Sequence, residues 1–208
     1  MAKNKQSFEY WAENLAGTTL ETMAQKLLVI TGGGFRHSNS AMLGEKLREA
    51  TLNALGETAV EVLHQTFHLG NFAYDMADFL SDGFPGDELA ALLEAVRSAD
   101  GIITVTPVFK ASYSGLFKLF WDITDDGDIA NTPTLIAAVG GTGRHSLMLD
   151  HALLPLFGFL DADVVPRGVY ATPEELNGSD ARAQKIQHRI KKAGQELAQK
   201  MQVERYSL

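Results

Sequence analysis

Residues 106–122 read TPVFKASYSGLFKLFWD, and this stretch decides the fold of the chain. An apolar run at 101–105 precedes it and predicts a buried strand. Its second half predicts an apolar helix, because Leu116 and Phe120 are four residues apart. The loop between them carries a proline, aromatic rings and Lys110. Open α/β sheets bind ligands at loops that follow their strands. The stretch therefore predicts a binding loop for a flat, polar, anionic ligand.

Apolar runs and helical patterns alternate along the rest of the chain. Helical stripes are carried by Leu43 and Leu47, by Leu89 and Val96, by residues 145–159, and by the last helix with Ile186. This alternation predicts an α/β fold in three layers, with helices on both faces of a parallel sheet. Strands are predicted at 27–31, at Val60 and Val62, at 101–105, at 134–139 and at 163–170.

Composition limits the classes of function. The chain has 208 residues, a net charge of −8 and no cysteine. The charge argues against nucleic acid or an anionic membrane as the main partner. The missing cysteines exclude disulfides and thiolate chemistry, and the six histidines show no metal-ligand spacing. No apolar run approaches the about 20 residues of a membrane span. We expect a soluble cytoplasmic protein without a metal.

The chain is expected to divide into an N-terminal extension, residues 1–26, and one domain, residues 27–208. Phe8, Trp11 and Leu15 fit one apolar stripe of an appended helix, and a partly disordered leader fits the composition equally well. Residues 69–86 break the alternation of strands and helices. Either a lid or binding loop, or a surface excursion with one irregular helix, accounts for this segment.

A glycine-rich loop, TGGGFRHSNS, follows the first predicted strand at residues 31–40. Glycines such as Gly34 let the backbone approach a ligand, and Arg36, Ser38, Asn39 and Ser40 offer polar groups before a helix start. The loop predicts a phosphate site, although it matches neither the Walker A motif nor the dinucleotide fingerprint. The alternative is a glycine turn in which a serine only caps the helix.

A second glycine-rich loop, VGGTGRHS, follows the fourth predicted strand at residues 139–146. Gly141 allows close backbone approach and Thr142 adds a hydroxyl, although a turn that needs glycine only for its geometry fits as well. In a five-stranded parallel sheet of flavodoxin-like order 2-1-3-4-5, the ends of strands one, three and four are neighbours. A phosphate on the first loop and a flat ring between the others together indicate FMN.

Two of these loops resemble a known family. TPVFKASYSG at 106–115 is similar to the second flavin loop of NAD(P)H-dependent FMN reductases, and GGTGRHSLMLDHALLP at 140–155 is similar to their third loop and helix. The likeness is to the flavodoxin-like reductases of alkanesulfonate-type and luciferase-like two-component monooxygenase systems. It extends over about residues 27–170. The first loop departs from the family pattern GSxRxxSxS. The resemblance therefore implies phosphate contacts for Ser38 and Ser40 more strongly than any exact role for Arg36.

The resemblance implies a fold, a reaction and a set of site residues. It implies a flavodoxin-like sandwich that transfers hydride from NAD(P)H to FMN and supplies reduced FMN to a partner monooxygenase. The side chains of the protein then bind and orient the flavin and the nicotinamide, and none is needed as a catalytic acid or base. Residues expected to contact FMN are Gly34, Arg36, Ser38, Asn39, Ser40, Pro107, Val108, Phe109, Lys110, Gly141 and Thr142.

The resemblance also implies self-association as a homodimer or homotetramer. His151 falls where the family carries an aromatic residue or histidine in a helix at a subunit contact, and an ordinary packed histidine is the alternative. The apolar residues 116–121 exceed the needs of one helix face, so core packing is expected to account for part of them and a subunit interface for the remainder. Two other functions stay open, a quinone or azo reductase with retained FMN and a flavodoxin-like electron carrier.

Overall fold

A computed structural model describes residues 24–34, 37–56 and 61–205. Within these ranges one sheet runs in the order β2-β1-β3-β5-β6, with β4 paired to β3 and β7 paired to β5. Every pair along this path, and the β5–β7 pair, is parallel. The predicted α/β class and flavodoxin-like order are therefore confirmed. The strands are β1 (Gln25–Thr31), β2 (Val62–His68), β3 (Gly101–Phe109), β4 (Ser112–Tyr113), β5 (Pro133–Val139), β6 (Asp163–Val164) and β7 (Val169–Ala171).

Helices cover both faces of the sheet. Alternate residues of the central strand serve the two layers, because Ile102 packs in one apolar cluster and Ile103 in the other. The first cluster is completed by α2 to α5, and the second by α1, α6 and α7. The α-helices are α1 (Asn39–Leu55), α2 (Ala73–Asp82), α3 (Asp87–Arg97), α4 (Gly115–Asp122), α5 (Leu154–Phe159), α6 (Pro173–Asn177) and α7 (Ala181–Arg205).

The predicted fifth strand is two short strands. β6 pairs with the beginning of β5, and β7 pairs with its end. The chain between them contains Pro166, which has no backbone N–H to donate to a strand ladder, and Gly168. The strand prediction at 163–170 was therefore right in position and wrong in continuity.

The predicted helix at 145–159 is also broken. A 3₁₀ turn, Gly143–His145, is followed by a π-helix, Leu149–Leu153, and then by α5. The N–H of Leu154 donates to the carbonyl of Leu149, five residues earlier. Pro155 has no N–H to continue an α-helical ladder through this point. This π-helix contains His151.

Residues 69–86 form an ordered connection. A 3₁₀ turn, Leu69–Phe72, leads directly into α2, which ends where Gly83 adopts the left-handed conformation with φ of 77°. Leu69, Phe72 and Met76 are buried in the first apolar cluster. The segment therefore contains a helix, and its role as a lid or binding loop stays a prediction.

The apolar excess at 116–121 belongs mainly to the core of this chain. Phe117 and Phe120 are fully buried, and Trp121 is 2% exposed. The Trp121 ring packs edge-on against Phe157 with ring centroids 4.9 Å apart. Leu116 and Leu119 are only partly buried and pack against the same cluster. The prediction that residues 116–121 face another subunit is therefore wrong for Phe117, Phe120 and Trp121, and it stays a prediction for Leu116 and Leu119.

Several predicted features fall outside the described residues, namely Phe8, Trp11, Leu15, Arg36 and Val60. β1 begins at Gln25, two residues before the predicted start of the domain. Among the residues that the structure describes, no helix is long and apolar enough to cross a membrane.

Candidate functional site

Three loops meet at the carboxyl edge of the sheet. Thr31 pairs with Val105 across β1 and β3, and Pro107 pairs with Val139 across β3 and β5. The loops that follow these strands therefore begin side by side, as the predicted strand order required. We refer to them below as the first loop (32–38), the hairpin (107–114) and the third loop (140–146).

The first loop leads into the N-terminus of α1. The Ser38 hydroxyl caps the helix by accepting from the N–H of Ala41 at 3.1 Å. Helical geometry leaves the N–H groups of Asn39 and Ser40 without an intrahelical acceptor. The first turn carries no acidic residue. This helix start can hold an anion, because donors and the positive end of the helix dipole coincide.

The Ser38 cap decides part of an open question. The sequence allowed either a phosphate site or a serine that only caps α1, and the structure shows the cap. A capping hydroxyl accepts one hydrogen bond and still has its own O–H to donate, so the two roles are compatible. Ser40 is 1% exposed, and Gly34 is exposed at the end of the glycine run.

The second loop is a β-hairpin. β3 continues through Phe109, and Val108 and Phe109 pair antiparallel with Tyr113 and Ser112. Lys110 and Ala111 form the two-residue turn, with φ of 51° and 68°. Two successive positive φ values are typical of a type I′ turn, which favours asparagine and glycine. Non-glycine residues in this region carry strain, and such strain is often found at functional sites.

The hairpin exposes the residues predicted to border a flat ring. Phe109 is 58% exposed, and Lys110 is also exposed at the turn. Pro107 and Val108 are partly buried within the strand. β4 packs against the π-helix, so the hairpin lies between the first loop and the His151 segment.

Ser114 joins the hairpin to the first loop. Its hydroxyl donates to the carbonyl of Gly32 at 2.8 Å and accepts from the N–H of Phe117 at 3.1 Å. Its own N–H donates to the Thr106 hydroxyl at 3.0 Å. Ser114 is 2% exposed. One buried side chain thus caps α4 and holds two loops together.

Tyr170 holds the third loop. Its hydroxyl donates to the carbonyl of Thr142 at 2.6 Å. Burial, and then the charge of Glu175, raise the pKa of Tyr170 above its ordinary value, so the hydroxyl stays protonated as a donor. Gly140 is required here, because a Cβ at this position would lie 2.0 Å from the tyrosine oxygen.

The structure therefore brings most of the predicted site residues to one edge. Gly34, Ser38, Asn39 and Ser40 lie at the start of α1. Residues 107–110 lie on the hairpin, and Gly141 and Thr142 are exposed beside it. His151 is exposed on the π-helix.

Sequence reasoning missed the residues that tie these loops together. Ser114 stands at an ordinary N-cap position before Gly115, so its capping role had a signal in the sequence. Its bond to Gly32 had none, since the two residues are 82 positions apart. Tyr170 was assigned only as a strand residue.

The three loops at the carboxyl edge of the sheet carry groups that suit ligand binding. This edge offers backbone donors at a helix start, an exposed aromatic hairpin and a glycine-rich loop whose Thr142 carbonyl accepts a hydrogen bond from Tyr170. Among the described residues no group of three or more His, Cys, Asp or Glu side chains is arranged to hold a metal ion. These loops suit a flat ring that carries a phosphate.

Comparison with known proteins decides the family. The family model for NADPH-dependent FMN reductases matches residues 25–177. The chain belongs to this family. It is 33% identical over 173 residues to an FMN reductase (NADPH) of Pseudomonas aeruginosa, covering 83% of this chain and 90% of that protein.

Two further relatives agree with this assignment. An NADH-dependent FMN reductase, SfnF, of Pseudomonas fluorescens is 35% identical, with 83% of this chain and 90% of that protein covered. The crystal structure of an oxidoreductase from Corynebacterium diphtheriae superposes with a TM-score of 0.82 at 34% identity, covering 86% of this chain and 97% of that one. The predicted class of enzyme, a flavin-linked oxidoreductase that uses FMN and NAD(P)H, is confirmed.

Replacing Ala111 with glycine should stabilise the protein. Glycine adopts positive φ without the Cβ penalty of about 1–2 kcal/mol, and part of that gain is offset by its greater freedom when unfolded. We expect the free energy of unfolding in urea to rise by about 0.5–1 kcal/mol.

Ala77→Gly is the matched control, because Ala77 is an exposed residue within α2. The same substitution there should lower the free energy of unfolding by about 1 kcal/mol. Equal losses at both positions would show that the turn at 110–111 carries no strain.

Removing the Ser114 hydroxyl should loosen the site as well as the fold. Ser114→Ala leaves the Gly32 carbonyl and the Phe117 N–H without this partner, at a cost of about 1–3 kcal/mol in unfolding free energy. We also expect the dissociation constant for FMN, measured by flavin fluorescence, to increase.

Ser114→Thr keeps the hydroxyl and should restore most of both properties. If Ser114→Ala destabilises the protein while FMN affinity stays at the wild-type value, the Ser114–Gly32 bond does not position the loops.

Proposed function

We propose that this protein reduces FMN with NAD(P)H and releases reduced FMN to a flavin-dependent monooxygenase. The observation that carries the proposal is the cradle that three strand-end loops form at one edge of the sheet, where Ser114 bonds the hairpin to the first loop and Tyr170 of β7 bonds the third loop. One end of the cradle suits a phosphate, and the other suits a ring. When bound, FMN supplies the atom that accepts hydride from the nicotinamide.

The phosphate is assigned to the first loop and the start of α1. Asn39 and Ser40 supply helix-terminal N–H groups, Ser38 supplies a hydroxyl, and Gly34 leaves room for close approach. Arg36 is assigned to the same end from the sequence alone. No acidic side chain in the first turn of α1 opposes the phosphate charge.

The flavin ring is assigned to the hairpin and the third loop. Pro107, Val108 and Phe109 border one side of it, and Gly141 and Thr142 border the other. Lys110, exposed at the turn, adds a positive charge beside a ring that becomes more negative on reduction. The task of these residues is to hold two rings in stacking contact, so orientation is their main contribution.

Release of reduced FMN fits the exposure of the hairpin. Phe109 is 58% exposed and Gly141, Thr142 and Gly143 are all exposed, so no described element closes over this edge. An open site suits a flavin that exchanges. We place the reaction in the cytoplasm, a reducing compartment that suits a chain without cysteine.

Turnover with added flavin tests this function. The purified protein should oxidise NADH or NADPH, followed by the loss of nicotinamide absorbance, with a rate that saturates as free FMN is added. Absence of oxidation with both nucleotides would contradict the proposal. Flavin that co-purifies, together with a need for a quinone or dye acceptor, would favour the quinone or azo reductase instead.

The phosphate assignment is tested by Ser38→Asp. Aspartate caps helices as well as serine does, so α1 keeps its cap while a negative charge faces the phosphate. Like charges about 4 Å apart near a protein surface repel by about 4 kcal/mol before screening by salt. We expect FMN affinity to fall at least about tenfold, with riboflavin affinity within about twofold of wild type.

Ser38→Asn is the matched control, since asparagine has the shape and capping ability of aspartate without its charge. Its FMN affinity should lie between those of wild type and Ser38→Asp, because the hydroxyl assigned to the phosphate is lost but no negative charge is added. If Ser38→Asp weakens FMN and riboflavin equally, the phosphate does not bind at this helix start.

Self-association is proposed through the surface around the π-helix. Leu147 and Leu154 are 60% and 45% exposed and line the same cleft, and Phe159, at the end of α5, is 77% exposed. His151 lies on the same segment and is assigned to this contact. The nearby hairpin would place the flavin close to the subunit boundary.

Sedimentation equilibrium measures this association. Wild type should sediment as a dimer or tetramer, and a Leu147→Asp, Leu154→Asp double variant should sediment as a smaller species. Leu80→Asp, at an exposed position on α2, is the control and should behave as wild type. A wild-type monomer at micromolar concentration would contradict the proposal.

A further inference from the structure

The end of β2 and the turn that follows it make two contacts, one with the end of β1 and one with the first loop. His68 Nδ1 and the Thr31 hydroxyl share a hydrogen bond of 2.8 Å, and Thr31 is the last residue of β1 before the glycine run. Two residues further on, Gly70 lies against the backbone of Gly34. These contacts therefore lie on either side of the glycine run 32–34, with Thr31 just before it and Gly34 at its end.

The Gly70 contact is too close for any side chain. A Cβ at Gly70 would lie 2.3 Å from the carbonyl oxygen of Gly34, 2.6 Å from its carbonyl carbon and 2.9 Å from its Cα. Real Cβ atoms do not approach within 3.0 Å of such atoms. The neighbour is backbone, so no side-chain rotation relieves the overlap.

Of the two residues in this contact, Gly70 is held more firmly than Gly34. Its 3₁₀ turn is anchored by Leu69, which is fully buried, and by Phe72, which is 7% exposed. The Phe72 ring packs edge-on against Phe67 of β2 with centroids 5.9 Å apart. Gly34, in contrast, is exposed. A methyl group on Gly70 would therefore displace the first loop rather than the 3₁₀ turn.

The contact of Thr31 with His68 holds the other end of the glycine run. Thr31 is fully buried, and its methyl group lies against α1, 3.1 Å from where a Cβ on Gly44 would stand. The N–H of the next residue, Gly32, donates to the carbonyl of Val105 at 2.7 Å. The beginning of the first loop is thus held by β2 on one side and by β3 on the other.

We propose that the His68–Gly70 segment positions the first loop for the flavin phosphate, with Gly70 and the His68–Thr31 hydrogen bond as its two contacts. Gly70 and His68 are positioning residues, since they act through Gly34 and Thr31 and not on the ligand. The inference rests on the proposed FMN function. It assigns to residues outside the three flavin loops a part of the selectivity for a phosphorylated flavin.

The experiment compares FMN with riboflavin, which lacks only the phosphate. Dissociation constants for both are measured by flavin fluorescence on the full chain, for wild type and Gly70→Ala. The displaced loop should weaken FMN at least about tenfold and leave riboflavin within about twofold, so the preference for FMN is lost. A merely structural role would weaken both flavins alike.

Gly86→Ala is the matched control. It adds the same methyl group at a residue where a Cβ meets no atom within 4 Å and where φ is −65°. Its preference for FMN should equal that of wild type. A Gly70→Ala protein that keeps the wild-type preference would overturn the inference.

Thr31→Val gives a second test if Gly70→Ala does not fold. Valine keeps the shape of threonine and removes the hydroxyl that bonds to His68, so the preference for FMN should fall. Thr31→Ser keeps the hydroxyl and should retain the preference. A wild-type preference in Thr31→Val would overturn the inference. A wild-type protein that binds FMN no better than riboflavin would instead contradict the phosphate assignment itself.

Discussion

The site depends on the pairing of β3 with β1 on one side and with β5 on the other. Parallel pairing brings the carboxyl ends of all three strands to one edge, and the register aligns Thr31 with Val105 and Pro107 with Val139. Each loop starts from a strand whose backbone is held by neighbours and whose side chains are buried on both faces. Displacing β3 would separate the phosphate end of the site from its ring end.

Three further contacts then hold these loops in place. Ser114 holds the first loop to the hairpin, Tyr170 holds the third loop, and Gly70 lies against Gly34. Buried hydrogen bonds and backbone contacts of this kind lower the reorganisation needed when a ligand binds. The protein supplies orientation and charge, and the flavin supplies the reactive atom.

The structure exposes other apolar side chains than those the sequence suggested. Phe117, Phe120 and Trp121 suggested an interface by their number, and all three are buried in this chain's own core. The exposed apolar side chains lie elsewhere, with Leu147, Leu154 and Phe159 around the π-helix and Tyr74, Leu80 and Phe84 around α2. An apolar helix pattern shows that a face is buried, and it does not show which surface buries it.

The sequence by itself determined the α/β class and the three loops of the proposed site, which follow from local signals, namely apolar runs, helical periodicity and glycine before a helix start. The order of the sheet came from the resemblance to a flavodoxin-like family. Only the tertiary structure decided that the second loop is a strained hairpin, that the fifth strand is split, and that residues 149–153 form a π-helix. It alone revealed the contacts of Ser114, Tyr170 and Gly70. Each of these joins residues distant in sequence, and a contact between distant residues leaves no periodic pattern in either segment.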